Sequence, residues 1–476
     1  MVMGSIQQET EVVVVGGGPG GYVAAIRAAD LGHEVLLIDE RERLGGVCLL
    51  EGCIPSKTLI AAVEVLEGAR RAQAMGITFE GLKLDVAALR QFTEGVVSQL
   101  SGGIQTLLKK RGIAVLRGYA ELVGPQELRL SGSEVASVRF KHCILATGSR
   151  PALPPQLEGA AVWTSREALA LPRVPERLLV VGGGYIGLEL GFVYAGLGSR
   201  VTLVELLPQL LAGADADLVE PVRKSAIKHF AALQLETRMV GLERRGELCI
   251  VETEGAAGRT KLEVDEVLVS VGRKPNTEGL GLERVGIALD ARGLVPVDAQ
   301  QRTRVPHIYA IGDIVAGPGL AHKASREGKV AAEVIAGRPA AFDNVAIPAV
   351  VFTDPELAWA GLTEAEARQR GLAVTVGKFP LSALGRARTV GRTEGLVKVI
   401  ADAEGGAVRG VGIVGPHASE LIAEAALALE MGAVLEDLTA TIHPHPTFSE
   451  ALMEAAEVAE GLPVHIPPLK RPSAPH

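Results

Sequence analysis

One plan of segments occurs twice in this chain, and few folds accommodate it. The first copy runs from a β-branched strand, Val12-Val13-Val14-Val15, through Gly16-Gly17-Gly18-Pro19-Gly20-Gly21 and a helical stretch to Val35-Leu36-Leu37-Ile38, which ends on Asp39. The second begins at Leu178-Leu179-Val180-Val181, turns at Gly182-Gly183-Gly184-Tyr185-Ile186-Gly187 and closes with Val201-Thr202-Leu203-Val204 on Glu205. Strand, glycine turn, helix and second strand make a βαβ unit, whose crossover covers a sheet face and so demands an α/β architecture. Gly16 and Gly182 allow the tight turn, Gly18 and Gly184 let a pyrophosphate approach the backbone, and Gly21 and Gly187 let helix and strand pack closely. The helix N-terminus adds amide donors and a positive dipole, and Asp39 and Glu205 stand where a ribose hydroxyl is held. The alternative, a glycine-rich turn with no ligand, has to explain the flanking strands and acids twice over.

Two dinucleotide-binding units in series fit the length, since 476 residues make room for about three domains. Prolines at Pro151-Ala152-Leu153-Pro154-Pro155 and from Pro172 to Pro175 interrupt helices and central strands, and mark the entry to the second unit. A further break falls near Arg338 to Pro348. Beyond it, alternating strands and an Ala/Leu/Glu-rich helix over Ser419 to Met431 predict an α+β domain, and the proline-bearing tail from Gly461 reads as extended. The expected division is 1–150, 151–275, a central segment 276–345, and 346–476. At the second fingerprint, a carboxylate at Glu205 with no arginine immediately after it repels a 2′-phosphate, which favours NAD over NADP there.

A formal charge of −8 argues against a polyanion partner, because binding nucleic acid by counterion release needs a dense Lys/Arg surface. Lys109-Lys110-Arg111 reads as solvated surface. No run of 18 apolar residues occurs, so no membrane span is expected, and Met1 to Thr10 lacks the apolar core of a signal peptide. The expected location is the cytoplasm.

Only four cysteines are present. Cys143 and Cys249 sit alone in apolar runs and read as buried. Cys48 and Cys53, in Gly45-Gly46-Val47-Cys48-Leu49-Leu50-Glu51-Gly52-Cys53-Ile54-Pro55-Ser56-Lys57, are close enough for a disulfide that exchanges by thiolate attack. Zinc would need two further ligands, and no second cysteine pair or suitably spaced histidine pair supplies them, so no metal is expected. An inert pair of core cysteines is the plainer alternative. Thiol exchange needs a base, and Thr441-Ile442-His443-Pro444-His445-Pro446-Thr447-Phe448-Ser449-Glu450 offers imidazoles beside a carboxylate that could orient one of them. Thr447 and Glu450 also have the spacing of a helix capping box, so Glu450 is open to either role or to both.

Taken together these residues resemble the FAD-dependent pyridine nucleotide–disulphide oxidoreductases of class I, most of all the members that oxidise dihydrolipoamide. The resemblance covers nearly the whole chain. It adds to the two fingerprints and the dithiol segment the stretches Ala146-Thr147-Gly148-Ser149, Val271-Gly272-Arg273-Lys274-Pro275 and Tyr309-Ala310-Ile311-Gly312-Asp313. It also includes Gly319-Leu320-Ala321-His322-Lys323-Ala324, Phe352-Thr353-Asp354-Pro355-Glu356, and His443 to Glu450.

The resemblance implies two Rossmann-like domains, for FAD and then NAD, a central segment completing the FAD site, and a C-terminal α+β dimerisation domain. FAD would contact Gly16, Gly18, Gly21, Asp39, Lys57, Thr147, Gly148, Ser149, Leu320, Ala321 and His322, with Asp313 on its ribityl chain. NAD would contact Gly182, Gly184, Gly187, Glu205 and Gly272. Cys53 would be the thiol nearest the flavin and Cys48 the outer, exchanging thiol. Lys57 would lie by the flavin ring and pair with Glu189. His445 would be the base and Glu450 its carboxylate, both donated across a homodimer interface. The implied substrate is dihydrolipoamide on the lipoyl domain of a 2-oxoacid dehydrogenase complex or on the glycine cleavage carrier protein, with NAD as acceptor.

Leu50 departs from the family, in which most members have asparagine between the cysteines. Glutathione-reducing relatives would want arginines after the second nucleotide-binding strand, and mercury-reducing ones a C-terminal cysteine pair, whereas no cysteine follows Cys249. A flavin redox sensor or structural subunit is the alternative of a different class. A base poised for repeated deprotonation, His445 with Glu450, weighs against it.

Overall fold

The computed structural model of the protein describes residues 6–256 and 258–468. Met1 to Ser5 and the end of the tail, from 469, lie outside the described residues. The described part of the tail, from Gly461 to 468, carries no helix or strand.

The first glycine turn joins a strand buried on both faces to a helix. Val12, Val13 and Val14 are fully buried, which is why the run is continuously apolar rather than alternating. Their strand, Ile6–Val15, pairs in parallel with Val35–Asp39 on one side and Val135–Leu145 on the other. Ala114–Arg117 and Ile308–Ala310 extend the parallel part, while Tyr119–Gly124 and Glu127–Ser131 complete seven strands in antiparallel fashion.

The helices that position the site follow in chain order. Helix α1, Pro19–Asp30, starts with proline in its first turn, where the missing N–H is no loss. Next come α2, Gly46–Glu51, α3, Cys53–Ala72, and α4, Val86–Lys110, which is capped by Asp85 through the Ala88 N–H at 3.0 Å.

The second unit contains α5, Ser165–Leu169, α6, Tyr185–Leu197, and α7, Ala216–His229. Its four parallel strands run in the order Ala232–Gln234, Arg200–Val204, Arg177–Val181, Glu266–Val269. A three-stranded antiparallel sheet over Arg238–Arg245, Leu248–Gly255 and Gly258–Val264 lies beyond it in the chain. The chain then returns to the first sheet at Ile308–Ala310 and continues into α8, Ala321–Ile335. The last unit is a five-stranded antiparallel sheet packed with helices, among them α9, Glu364–Gln369, Ala418–Met431 and Glu450–Glu460.

The expectation that no segment could span a bilayer needs one amendment. Gly46–Met75 is long and apolar enough by composition to do so. It is interrupted at Gly52, Leu59 and Val63 belong to the core that α6 shares, and Lys57 pairs with a buried glutamate of α6. Part of its apolar face, with Leu59 and Val63, is therefore packed within the protein, while Val65 and Met75 are exposed.

The second and third units are joined by charge as well as by apolar packing. Lys398, whose side chain is fully buried, reaches Asp215 at 2.6 Å, Asp217 at 2.7 Å and Glu364 at 2.9 Å. Lys378 also reaches Asp217 and Glu364, each at 2.8 Å, so the carboxylate that loss of Lys398 strands is Asp215. Lys398→Met is expected to destabilise the protein by roughly 3–5 kcal/mol, read from the urea midpoint, and an unchanged midpoint would contradict this account of the junction.

Candidate active site

A cavity of about 970 Å³ opens at the first glycine turn and runs to the dithiol, at the upper end of the ~300–1,000 Å³ usual for small-molecule sites. Gly16, Gly18, Asp39, Cys48, Cys53, Lys57, Thr147, Gly148, Ser149, Glu189, Asp313 and Ala321 all line it.

The turn is built for close approach. A Cβ on Gly17 would lie 2.6 Å from Leu44, and one on Gly16, at φ +107°, 2.2 Å from the Ala146 carbonyl. Gly21 is not on the wall. A Cβ there would sit 1.8 Å from the Gly16 carbonyl oxygen, so its role is to let α1 lie against the strand. Asp39 accepts the Gly17 N–H at 2.5 Å and the Arg41 N–H at 2.8 Å. That fixes the carboxylate beside the turn with lone pairs left for a sugar hydroxyl.

The second turn repeats this arrangement. Glu205 accepts the Gly183 N–H at 2.5 Å and the Leu207 N–H at 2.8 Å. A Cβ on Gly184 would meet nothing within 4 Å, while one on Gly187 would lie 2.0 Å from the Gly182 carbonyl oxygen. Gly182, Gly184, Gly187, Glu205 and Gly272 do not line the large cavity. Their turn forms a separate site, and Tyr185 and Glu189 of the helix that follows it reach the cavity wall.

Cys48 lies on α2 and Cys53 begins α3, with Gly52 between them. A Cβ on Gly52 would come within 2.9 Å of the Val47 carbonyl oxygen and 3.3 Å of the Cys48 Cα, so only glycine lets the two helices meet this tightly. Both residues are thiols, within hydrogen-bond reach of each other. The Cys48 thiol stabilises the Cys53 thiolate by that bond, burial opposes it, and the Lys57 ammonium adds to the stabilisation, holding Cys53 down at about 7. The same bond and burial push Cys48 up. Lys57 Nζ donates to Glu189 Oε2 at 2.8 Å and lies 4.3 Å from the centre of the Phe352 ring.

Asp313 follows the left-handed Gly312, accepts a hydrogen bond from the Ser149 hydroxyl and lies 3.9 Å from Arg273 Nε. The Thr147 hydroxyl donates to the Asn276 carbonyl at 2.7 Å and the Asn276 amide to the Thr147 carbonyl at 2.9 Å, where Ser149–Pro151 pairs with Arg273–Pro275.

His322 is exposed and its Nε2 turns to the Pro348 carbonyl at 2.8 Å, while Leu320 caps α8 without reaching the cavity; Gly319 and Ala321 form that wall. Leu50 packs against the core of the first sheet, which accounts for an apolar residue between the cysteines.

Three residues were missed. Glu51 bridges Arg166 at 3.1 Å and Arg41 at 3.4 Å on the cavity wall, Asn276 links the two units, and Arg273 was quoted in a motif with no role. Charge next to the cysteines was the available signal for Glu51. Asn276 had none.

His445 and Glu450 do not meet the dithiol within one chain. His445 is 77% exposed and its Nδ1 lies 2.8 Å from Glu450 Oε1, while Glu450 Oε2 accepts the Thr447 N–H at 2.8 Å. Glu450 thus orients the imidazole and ties down the Thr447 N–H just ahead of its helix, whose N-cap is Ser449 with no side-chain cap, so the expected capping box does not form. Burial opposes its ionisation, but the Thr447 N–H and His445 outweigh that, leaving the carboxyl below its usual range. His443 is engaged elsewhere, with Glu424 at 2.8 Å.

Residues 10–328 match the family described as pyridine nucleotide-disulphide oxidoreductase, and residues 347–456 match that family's dimerisation domain. The chain belongs to this family. Dihydrolipoyl dehydrogenase of Geobacillus stearothermophilus is 48% identical over 98% of this chain and 99% of its own length, and that of Haloferax volcanii is 47% identical over the same shares. Among solved structures, LpdA from Mycobacterium tuberculosis superposes with a TM-score of 0.86 at 30% identity, covering 94% of this chain and 99% of its own. The chain is accordingly an FAD- and NAD-dependent oxidoreductase that forms a homodimer. The glycine cradle, braced Asp39 and long cavity fit FAD, and the braced Glu205 with leucines after it fits NAD.

In the reduced protein, alkylation of Cys53 by iodoacetamide is expected to follow an ionisation near 7. Cys48→Ala should move it to higher pH and Lys57→Met should move it the same way. A midpoint unmoved by both would contradict the assignment.

Proposed function

We propose that the protein oxidises dihydrolipoamide to lipoamide and passes the electron pair to NAD, its natural substrate being the lipoyl arm of a 2-oxoacid dehydrogenase complex or of the glycine cleavage carrier protein. The carrying observation is that Cys48 and Cys53, joined through Gly52 at the meeting of α2 and α3, stand together on the wall of the cavity that begins at the first glycine turn. The relatives named dihydrolipoyl dehydrogenase support the choice of substrate.

The working oxidised form has a Cys48–Cys53 disulfide. His445 of the partner subunit takes the proton from one substrate thiol through Nε2, because Nδ1 is held by Glu450. The substrate thiolate attacks Cys48 Sγ, forming a mixed disulfide as the Cys48–Cys53 bond breaks, and Cys53 departs as a thiolate that the Lys57 ammonium stabilises. The second substrate thiol closes the lipoamide ring and expels Cys48, which takes up the proton that thiol loses, while the first proton stays on the imidazole. FAD, when bound, carries the electron pair from Cys53 to NAD.

An imidazole this exposed on one chain and absent from that chain's own cavity supports a site shared between subunits. Residues 1–150 and 276–345 would supply the FAD site, 151–275 the NAD site, and 346–476 the shared base. The reading places the enzyme in the cytoplasm, with the complexes it would serve.

NAD reduction by free dihydrolipoamide tests this. His445→Gln is expected to lower turnover by about 10²–10⁴-fold, and Cys48→Ser to abolish it. Co-expressing the two inactive variants should restore activity, since each mixed dimer has one site with both Cys48 and the partner's His445. A wild type that retains FAD but ignores dihydrolipoamide would sink the substrate assignment and bring forward other disulfides or a sensing role.

A further inference from the structure

Helix α8 carries a buried ion pair that the disulfide chemistry does not use. Lys323 and Glu327 lie one turn apart, with Nζ and Oε1 at 2.9 Å, and are 3% and 2% exposed. Taking two charges out of water is costly, and well-packed apolar side chains of similar volume avoid the cost. The pair has further partners that apolar side chains could not replace. Glu327 Oε2 accepts the Gly312 N–H at 2.7 Å, and Lys323 Nζ donates to the Gly312 carbonyl at 3.0 Å. Ammonium, carboxylate and the two backbone groups of one residue therefore close a ring of hydrogen bonds.

Gly312 has φ +78°, a left-handed conformation that glycine adopts freely and therefore does not hold by itself. The ring removes that freedom one residue before Asp313. The same helix is fixed against α1, where a Cβ on Gly328 would lie 2.5 Å from the Gly20 carbonyl oxygen and one on Gly20 would lie 3.1 Å from that of Ala324. One rigid helix thus holds both the glycine turn and the Asp313 turn, which stand on the wall of one cavity. Burial pushes the Glu327 carboxyl up against the pull of Lys323 and the Gly312 N–H, and the Asp313 charge acts in the same sense as burial.

We propose that Lys323 and Glu327 are positioning residues for the flavin dinucleotide, clamping Gly312 so that the Asp313 carboxylate stands at a set distance from the pyrophosphate turn. The proposal rests on the flavin reading of the cavity and on no substrate. Its signature is a loss of cofactor affinity that a simple stabilising pair would not produce.

The test is FAD titration of the apoprotein, followed by flavin fluorescence, with hydrogen exchange of the segment Ile308 to Ile314 read by mass spectrometry on the same samples. Lys323→Met/Glu327→Met removes both charges together, leaving neither stranded. The FAD Kd is expected to rise about tenfold or more, a change of about 1.4 kcal/mol per decade, with faster exchange at Gly312 and Asp313. Glu327→Gln, which keeps an acceptor for the Gly312 N–H, should fall between this variant and wild type.

A double variant with altered thermal stability, an FAD Kd within about twofold of wild type and unchanged exchange would overturn the clamp. Should the double variant not fold, Glu327→Gln decides by the same readouts: raised Kd and faster exchange support the clamp, and unchanged values overturn it. A wild-type apoprotein that binds no FAD would overturn the cofactor reading and the clamp together, which separates that failure from one of the clamp alone.

Discussion

The contact between Lys57 and Glu189 joins all the working parts of the chain. Lys57 stands one turn after Cys53 on α3, Glu189 is buried in α6 behind the second glycine turn, and Phe352 from the last unit completes the contact. Glu189 accepts the Lys57 ammonium at 2.8 Å and the Phe352 N–H at 3.0 Å, leaving no carboxylate oxygen without a partner. Breaking a pair with one member this deeply buried leaves a charge uncompensated. Each of the three units is therefore anchored to the others beside the dithiol. Close packing acts at the same junction, because a Cβ on Gly196 of α6 would lie 2.3 Å from Val63 of α3.

The two nucleotide units solve one problem twice. In each, the acid after the second strand turns back to a backbone N–H of its own glycine turn at 2.5 Å. A carboxylate held by two amides is ordered before any sugar arrives, so less side-chain freedom remains to be lost on binding. Asp39 lies within the long cavity and Glu205 outside it. Similar turns thus feed separate sites that approach each other through α6, whose Tyr185 and Glu189 reach the cavity wall.

The parts of the fold legible in the sequence were those encoded locally. The valine run at 12–15, the turn glycines and the paired acids have a fixed spacing, and the strands Val35–Asp39 and Arg177–Val181 fall within a residue of where the pattern put them. Cys48 and Cys53 were legible as a pair because they are close in sequence, and Glu450 as the partner of His445 because those residues are neighbours. What was not legible depends on contacts between distant segments. Nothing near Lys398 foretells three carboxylates from α7, the residue before it, and α9, and nothing in the sequence of α8 shows that Lys323 and Glu327 would turn inward to one glycine. His322, in the same motif, faces away because helical geometry sends successive side chains in different directions. A motif match cannot supply that.

The central claim is that one dithiol exchanges an electron pair with both a substrate thiol and a pyridine nucleotide. Differential alkylation with mass mapping tests it on the oxidised FAD-loaded protein under anaerobic conditions, with one equivalent of dihydrolipoamide added to one sample and one of NADH to another. Either reductant is predicted to render Cys48 and Cys53, and neither Cys143 nor Cys249, newly alkylatable. New thiols with dihydrolipoamide but none with NADH, or none with either, would contradict the account.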